Sequence, residues 1–258
     1  MDLQLNGKTA VVTGGSAGIG LAIAKALAAE GVSVTVPGRT KEKLDKALAG
    51  LSDIRGVVAD VASAEGAESL IRQVPETDIL INNLGIYEPK PFAEISDADW
   101  LRLFETNVLS GVRLSRHYFP RMLEKNSGRV IFISSESAIM TPPEMIHYGV
   151  TKSSQLAISR GLAELTKGTA VTVNTVMPGP TRSEGIVEFL ERMSTAKNPT
   201  PEQAEKEFFE KHRQSSLLQR LIDDSEIANL VVFLASPLSA ATNGAALRAE
   251  GGLLRSIA

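Results

Sequence analysis

A glycine-rich segment near the start of the chain limits the possible folds more than any other feature. Residues Thr9 to Thr13 form a short apolar run rich in β-branched side chains, which is typical of a buried parallel strand. Gly14, Gly18 and Gly20 follow at once, and the stretch from Gly18 to Ala29 is rich in helix-forming residues. A strand, a glycine turn and a helix in this order predict a dinucleotide-binding loop. The turn lets the backbone approach a pyrophosphate, and the helix N-terminus attracts that anion.

The same alternation continues through most of the chain. Five more short apolar segments predict strands, and these are Ser33–Val36, Val57–Asp60, Ile79–Asn82, Arg129–Ser134 and Val171–Met177. Helical segments fall between most of them, which indicates right-handed βαβ units. We therefore expect an α/β single-domain Rossmann fold over residues 1–258, with a doubly wound parallel sheet of about seven strands flanked by helices. Ser96 and Asp99 predict a capping box at the start of one helix.

One stretch interrupts this alternation. Residues 181–218 are strongly charged, contain Pro199 and Pro201, and place apolar residues such as Phe208 and Phe209 at helical spacing. The stretch follows a strand end, where open α/β sheets bind their ligands. We expect it to form a helical lid over the substrate, and a peripheral helical insertion is the alternative interpretation.

The overall composition excludes several classes of protein. The net charge of −3 gives no indication of a nucleic-acid or anionic-membrane partner. The chain has no cysteine and only three scattered histidines, so we expect neither disulfides nor a metal site. We see no signal peptide, and no apolar run approaches the ~20 residues that span a bilayer. A cytoplasmic location and a small-molecule substrate are expected.

The end of the second strand predicts which dinucleotide binds. An acidic residue there would bind a ribose 2′-hydroxyl, but Val36 to Thr40 contains no carboxylate. Arg39 in this segment can pair with a 2′-phosphate, which favours NADP(H) over NAD(H). A solvated surface arginine is the alternative. Asp60 and Val61 are placed to meet the adenine, although Asp60 could equally cap a helix.

Three residues in the middle of the chain predict proton-transfer chemistry. Tyr148 and Lys152 are four residues apart, so they share one face of a helix. The Lys152 ammonium would favour the phenolate and so lower the pKa of Tyr148. Ser135, thirteen residues before the tyrosine, can donate a hydrogen bond to a substrate oxygen. Tyr148 then acts as general acid or base in hydride transfer between a carbonyl and an alcohol.

The chain resembles the short-chain dehydrogenase/reductases of ordinary length over nearly all of its sequence. The family's motifs occur in order, and they are Thr13–Gly20, Asp60-Val61, Asn82–Gly85, Asn107, Ser135, Tyr148 with Lys152, and Pro178–Thr181. The resemblance implies a catalytic tetrad of Asn107, Ser135, Tyr148 and Lys152. In it, Asn107 bends a helix and holds a water in a proton relay to Lys152.

The resemblance also implies which residues contact the cofactor. Tyr148 and Lys152 are two of them. The others lie in the glycine loop, at the strand ends and at the entrance of the predicted lid, and they are Gly14, Ser16, Gly18, Ile19, Gly20, Arg39, Asp60, Val61, Asn83, Gly85, Pro178, Gly179 and Thr181. Leu84 stands where the family usually has a small residue, and Ala17 where NADPH-preferring members often have a basic one. Arg39 must therefore hold most of the preference for NADP(H). A homotetramer, or a dimer, is also implied.

Two alternatives to a general carbonyl reductase stay open. One is a 3-oxoacyl thioester reductase, which would need a basic face for an acidic carrier protein, and no basic cluster is evident near the lid. The other is a non-catalytic dinucleotide sensor, which typically loses the tyrosine or lysine that this chain keeps. Glu136 and His147 flank the predicted catalytic residues, and we expect both to be solvated rather than to bind substrate.

Overall fold

A computed structural model, describing residues 1–257, shows one sheet of seven parallel strands. The strands are β1 (Thr9–Val12), β2 (Ser33–Gly38), β3 (Ile54–Val58), β4 (Ile79–Asn82), β5 (Gly128–Ile133), β6 (Val171–Pro178) and β7 (Ala246–Ala249). Their order across the sheet is β3-β2-β1-β4-β5-β6-β7. All neighbouring pairs are parallel. This confirms the predicted doubly wound Rossmann fold.

Nine α-helices are present within residues 1–257. They are α1 (Gly18–Ala29), α2 (Lys41–Ala47), α3 (Ala64–Gln73), α4 (Asp97–Phe104), α5 (Ser110–Glu124), α6 (Ile146–Glu164), α7 (Glu184–Met193), α8 (Pro201–Lys211) and α9 (Asp224–Ala235). The capping box predicted for Ser96 and Asp99 is confirmed at the start of α4. None of the helices in the described part of the chain is long and apolar enough to cross a membrane.

The sheet is covered on both faces because its side chains alternate between two cores. In β4, Ile79 and Ile81 pack with α1 and α9, whereas Leu80 faces the opposite way toward α3 and α5. The residues of β5 divide between the cores in the same manner. Burial of the strands on both faces explains why they read as continuous apolar runs in the sequence.

The strand limits differ from the predicted ones at the outer part of the sheet. β3 begins at Ile54, three residues before the predicted start, and it ends at Val58 so that Asp60 lies beyond it. The start of β3 was missed because Arg55 and Gly56 interrupt the apolar pattern at this exposed sheet edge. The expected number of about seven strands included β7, but its position was not predicted, because its four residues are largely half-buried and form no apolar run.

Residues 181–218 form two helices, α7 and α8, which confirms that this stretch is helical. A small apolar core joins the two helices to the segment that follows, and its buried members are Leu190, Ala204, Phe208, Phe209 and Leu221. An isolated parallel bridge between Thr181 and Ile222 ties the entrance of the segment to its exit. The pair of helices is therefore anchored at one edge of the sheet.

The strand order reverses direction between β1 and β4. Successive strands are added outward from β1 on one side and outward from β4 on the other. In sheets of this kind, ligands bind beyond the carboxyl ends of the strands at this reversal. The loops after β1, β4, β5 and β6 meet there, and they contain most of the predicted site residues.

Candidate active site

The loop after β1 has the backbone that a phosphate-binding turn requires. Gly14 and Gly18 have φ angles of +64° and +48°, a region that side chains with a Cβ rarely adopt. The loop leads directly into α1, whose N-cap residue Ala17 makes no side-chain capping bond. Ser16, Ile19 and Gly20 lie in the same turn and first helical residues.

The uncapped start of α1 differs from the starts of most other helices. Side chains cap α2, α3, α4, α7 and α8, and the capping residues are Thr40, Ser63, Ser96, Ser183 and Thr200. The first N–H groups of a helix need a partner, and an anion can supply it where no side chain does. The loop therefore fits the pyrophosphate of a dinucleotide.

Close packing beneath the loop requires a glycine at position 20. A Cβ on Gly20 would lie 2.3 Å from the Gly14 carbonyl oxygen and 2.4 Å from Asn83 Nδ2. Asn83 holds the loop from below, since its Nδ2 donates to the Thr13 carbonyl at 3.0 Å and to the Gly14 carbonyl at 3.3 Å. The predicted contact residue Asn83 thus supports the loop backbone.

The substitution Gly20→Ala is expected to displace the loop. We expect dinucleotide affinity to fall by at least about tenfold, because the N–H groups facing the pyrophosphate shift with the Gly14 carbonyl. The unfolding free energy should fall by about 1–3 kcal/mol from the forced contact. Calorimetric titration and thermal unfolding measure both effects. The control is Gly161→Ala, where a Cβ meets nothing within 4 Å, and wild-type affinity in Gly20→Ala would contradict this account.

The residues predicted to contact the ribose and adenine lie at the same sheet edge. Arg39 follows β2 directly and is exposed. Asp60 accepts a hydrogen bond from the Ala62 amide at 3.2 Å in a turn, and Ser63 caps α3. The alternative of Asp60 as the helix cap was therefore wrong, because the N-cap of α3 is Ser63, three residues later. Val61 is buried in the core beside it.

Asn107 lies in a π-helical turn, Glu105–Leu109, between α4 and α5. This confirms the prediction that a helix is distorted at Asn107. Its Oδ1 accepts from the Ile86 amide at 2.8 Å, and its Nδ2 donates to the Ile86 carbonyl at 2.9 Å and to Thr151 Oγ1 at 3.0 Å. Since both ends of the amide are bonded, the side chain is held in one orientation. Its role in a proton relay stays a prediction.

Lys152 is buried on α6 and points toward the end of β5. Its Nζ donates to the Ile133 carbonyl at 2.9 Å and to Gln155 Oε1 at 3.3 Å. A Cβ on Gly85 would lie 3.5 Å from this Nζ and 3.6 Å from Asn107 Oδ1. Gly85, Asn107 and Lys152 are thus together, and the missing side chain of Gly85 leaves room for a ligand next to them.

Ser135 lies two residues after the end of β5 and is 6 % exposed. Its Oγ accepts from the Ser137 amide at 3.1 Å and donates to Glu136 Oε2 at 2.5 Å. Tyr148 is half-buried on the first turn of α6. The Lys152 ammonium lies 5.6 Å from the centre of the Tyr148 ring.

The pKa of Tyr148 differs from the prediction. Burial raises the pKa of this phenol above its usual value, and the Glu136 carboxylate adds to the rise, while Ser135 opposes it. The expected lowering by Lys152 does not outweigh this burial, because the ammonium donates to the Ile133 carbonyl and to Gln155 and lies 5.6 Å from the centre of the Tyr148 ring. Burial lowers the pKa of Lys152 to about 8, and the nearby Glu136 opposes this.

Two residues expected to be solvated are buried instead. Glu136 is 5 % exposed and bonded to Ser135, whereas His147 is fully buried with its ring 5.9 Å from the Trp100 ring. The polar residue types gave no sign of this burial. It depends on contacts with distant residues, namely Arg213 for Glu136 and Trp100 of α4 for His147. Tyr87 was not singled out from the sequence. Its ring lies 6.2 Å from that of Tyr148, edge to face.

The segment after β6 leads from the sheet to the lid. The Gly179 amide donates to the Ala249 carbonyl at 3.2 Å, and Thr181 Oγ1 donates to the Gly179 carbonyl at 2.9 Å. These bonds hold Pro178 to Thr181 at the carboxyl edge of the sheet, as predicted.

The first turn of α7 lies between the glycine loop and Tyr87. A Cβ on Gly18 would lie 3.7 Å from Ser183 Cβ, and one on Gly185 would lie 3.2 Å from the Tyr87 hydroxyl. The start of α7 is therefore next to both the predicted cofactor site and the predicted catalytic site, which is where a lid would lie.

Comparison with known proteins identifies the family to which this constellation belongs. The model of the short chain dehydrogenase family matches residues 8–193. The chain belongs to the short-chain dehydrogenase family. It is therefore an oxidoreductase of a family that uses NAD(P).

Relatives within this family cover the whole chain. The uncharacterized oxidoreductase YvaG of Bacillus subtilis (strain 168) is 51 % identical, covering 100 % of both chains. A 3-oxoacyl-[acyl-carrier-protein] reductase of Escherichia coli (strain K12) is 32 % identical, covering 97 % of this chain and 99 % of its own. The crystal structure of L-sorbose reductase from Gluconobacter frateurii, complexed with NADPH and L-sorbose, superposes with a TM-score of 0.93. It is 28 % identical and covers 100 % of both chains.

Proposed function

We propose that this short-chain dehydrogenase transfers a hydride between NADP(H) and a carbonyl or secondary alcohol substrate, with Tyr148 as the general acid or base. One observation supports this most directly. Lys152, whose ammonium lies 5.6 Å from the Tyr148 ring centre, donates to the Ile133 carbonyl two residues before Ser135. The Leu84-Gly85 segment connects this group to the glycine loop, because a Cβ on Gly14 would lie 3.2 Å from Leu84 Cα and one on Gly85 would lie 3.5 Å from Lys152 Nζ. A substrate and a dinucleotide can thus share one site.

The proposed reduction needs a proton for the substrate oxygen. NADPH, when bound, would supply the hydride for the carbonyl carbon. Tyr148 would give its phenolic proton to the oxygen, so that an alcohol forms. The raised pKa of Tyr148 keeps this phenol protonated at neutral pH, which is the state that reduction requires. In oxidation, the same oxygen accepts the proton from the alcohol.

Ser135 and Lys152 hold the reacting groups in place. Ser135 Oγ can donate to the substrate oxygen, provided that it turns away from Glu136. We expect Lys152 to hold the nicotinamide ribose hydroxyls and to stabilise the phenolate after proton transfer. Asn107, fixed by Ile86 and Thr151, supports the backbone beside this lysine.

We further propose that the cofactor is NADP(H). Arg39 is exposed directly after β2, and the segment Val36 to Thr40 contains no carboxylate to repel a 2′-phosphate. The similarity to an L-sorbose reductase complexed with NADPH supports the same choice.

The substitution Arg39→Asp tests this preference. We expect kcat/KM with NADPH to fall by about 10²-fold and the value with NADH to rise or stay, because a carboxylate repels the phosphate and accepts from a ribose hydroxyl. Steady-state rates with both cofactors measure the ratio. The matched control Arg55→Asp makes the same charge change at the opposite end of the neighbouring strand β3, and it should keep the preference. If the ratio of kcat/KM with NADPH to that with NADH is unchanged in Arg39→Asp, Arg39 is a surface residue that does not read the 2′-phosphate.

A 3-oxoacyl thioester reductase is the second candidate. The 32 % identity to the Escherichia coli enzyme favours it. Against it stands the charge of α8, which has four glutamates and two lysines on the outer helix of the lid. Such a surface repels an acidic carrier protein. The homotetramer, or dimer, and the cytoplasmic location also remain predictions.

A further inference from the structure

Three charged side chains meet beside Ser135, and the proposed reaction uses none of them. They come from separate segments, namely Glu136 after β5, Glu144 before α6, and Arg213 two residues after α8. Arg213 Nε lies 3.9 Å from Glu136 Oε1, and its Nη2 lies 3.9 Å from Glu144 Oε1. The site therefore joins the catalytic loop to the lid.

The contacts of Arg213 within the protein leave part of its side chain without a partner. Both distances to the carboxylates are too long for hydrogen bonds. The side chain is only 10 % exposed, and its Nε is buried without a hydrogen-bond partner among residues 1–257. A buried donor without a partner is unfavourable, so folding alone does not explain this arrangement.

Arg213 is nevertheless held in a defined position. Its Nη1 donates to the His212 carbonyl at 2.9 Å, and its guanidinium carbon lies 5.3 Å from the centre of the Phe208 ring. Phe208 belongs to the buried core of the lid. The guanidinium is thus fixed with free donor capacity facing two carboxylates, which is the arrangement of a preformed polar binding site.

The site adjoins the reacting groups. Glu136 accepts directly from Ser135 Oγ, and its carboxylate affects the pKa of both Tyr148 and Lys152. Tyr87 packs edge to face against Tyr148, with the two ring centres 6.2 Å apart. A substrate whose carbonyl meets Ser135 and Tyr148 would have Glu136 and Arg213 within reach of its neighbouring atoms.

The charges of the site indicate what kind of group it binds. One arginine stands against two glutamates, so an anionic group bound to Arg213 would also lie close to carboxylates that repel it. A hydroxyl can accept from the guanidinium and donate to a carboxylate at the same time. Hydroxyls on adjacent carbons could satisfy Arg213 and both glutamates without adding a buried charge.

We propose that Glu136, Glu144 and Arg213 bind the hydroxyl groups of a neutral polyhydroxylated ketone or aldehyde, or of the matching polyol. This inference rests on the proposed carbonyl/alcohol chemistry and specifies its substrate class. Arg213 is the residue that determines specificity, and Glu136 accepts from a substrate hydroxyl once Ser135 has turned away from it.

The test compares L-sorbose, a neutral polyhydroxy ketone, with cyclohexanone, which has no hydroxyl, and with the anionic 5-keto-D-gluconate. For wild-type protein we expect the highest kcat/KM with L-sorbose. In Arg213→Met, we expect the ratio of kcat/KM for L-sorbose to that for cyclohexanone to fall at least about tenfold, mainly through KM. Arg213→Lys should restore part of the ratio. The control Arg192→Met changes an exposed arginine of α7 and should keep it.

Equal losses on both ketones in Arg213→Met, or a wild-type preference for 5-keto-D-gluconate, would overturn the proposal. Calorimetric binding of L-sorbose to the NADP⁺ complex separates it from the proposed function, because binding needs no turnover. If wild-type protein binds L-sorbose, Arg213→Met weakens this binding and no ketone is turned over, the result would support the site and contradict the reaction. Turnover of cyclohexanone without binding or turnover of L-sorbose would contradict the site and support the reaction.

Discussion

Replacing Tyr148 by phenylalanine is expected to remove most of the activity. We expect kcat for ketone reduction to fall by about 10²–10⁴-fold, which is the usual contribution of a positioned general acid. The phenylalanine ring keeps the edge-to-face packing against Tyr87, and the loss of a single hydroxyl leaves the glycine loop untouched. NADPH affinity should therefore change by less than about threefold. Stopped-flow rates and calorimetric titration measure the two quantities.

Tyr87 provides the matched control because it is a second phenol at the same site. In Tyr87→Phe we expect kcat to stay within about tenfold of wild type, since the Tyr87 hydroxyl lies next to Gly185 of α7, whereas Ser135 lies next to the Tyr148 phenol. A loss in Tyr87→Phe as large as that in Tyr148→Phe would show that the proton source was assigned to the wrong tyrosine. Near-normal turnover in Tyr148→Phe would refute its role outright.

Lys152→Met is expected to reduce activity while changing how stability depends on pH. We expect kcat to fall by about 10²-fold or more, because Tyr148 loses the cation that stabilises its phenolate. Burial lowers the pKa of Lys152 from 10.5 to about 8. Keeping the buried side chain charged therefore reduces the unfolding free energy, and this reduction is fully present below pH 8. The difference between the two pKa values corresponds to about 3 kcal/mol.

The sign of the pH effect follows from proton binding. Between pH 8 and pH 10.5 the unfolded chain binds more protons at this lysine than the folded chain, so the unfolding free energy of wild type rises with pH there. The methionine variant lacks this rise. At pH 7 its net stability gain is smaller than the full cost, because the Ile133 carbonyl and Gln155 lose a donor.

Denaturant unfolding at pH 7, 8.5 and 10 measures this difference. The stability of Lys152→Met relative to wild type should decline across the series by about 2–3 kcal/mol. Lys167→Met, at an exposed position, provides the control and should show no such decline. A constant difference between Lys152→Met and wild type would show that the buried ammonium is not the titrating group.

The sequence was sufficient to predict the features that depend on local pattern. Strands buried on both faces appear in the sequence as apolar runs, and Ile79–Asn82 is an example. The glycine loop is recognisable from the spacing of its glycines. The capping pair Ser96 and Asp99 was predictable for the same reason, since a cap depends on residues only three apart. Asn107 was located through the resemblance to a family, and the π-helical turn there agrees with it.

The features that escaped prediction depend on contacts between distant segments. Glu136 is buried because the chain brings Arg213, 77 residues later, over it. No local pattern marks Arg213, which follows a charged helix and looks like a surface residue. The pKa of Tyr148 was predicted in the wrong direction because burial of the phenol, which raises this pKa most, and the nearby Glu136 carboxylate both depend on the fold.

The central claim is that this chain moves a hydride between NADP(H) and a carbonyl carbon while Tyr148 handles the proton. The most direct test uses NADPH deuterated at the transferred position, together with L-sorbose or cyclohexanone. Mass spectrometry and NMR of the product locate the label. We predict one deuterium on the new carbinol carbon with wild-type protein and almost none in the same time with Tyr148→Phe. Consumption of NADPH without deuterium in the alcohol, or equal labelling by both proteins, would contradict the account.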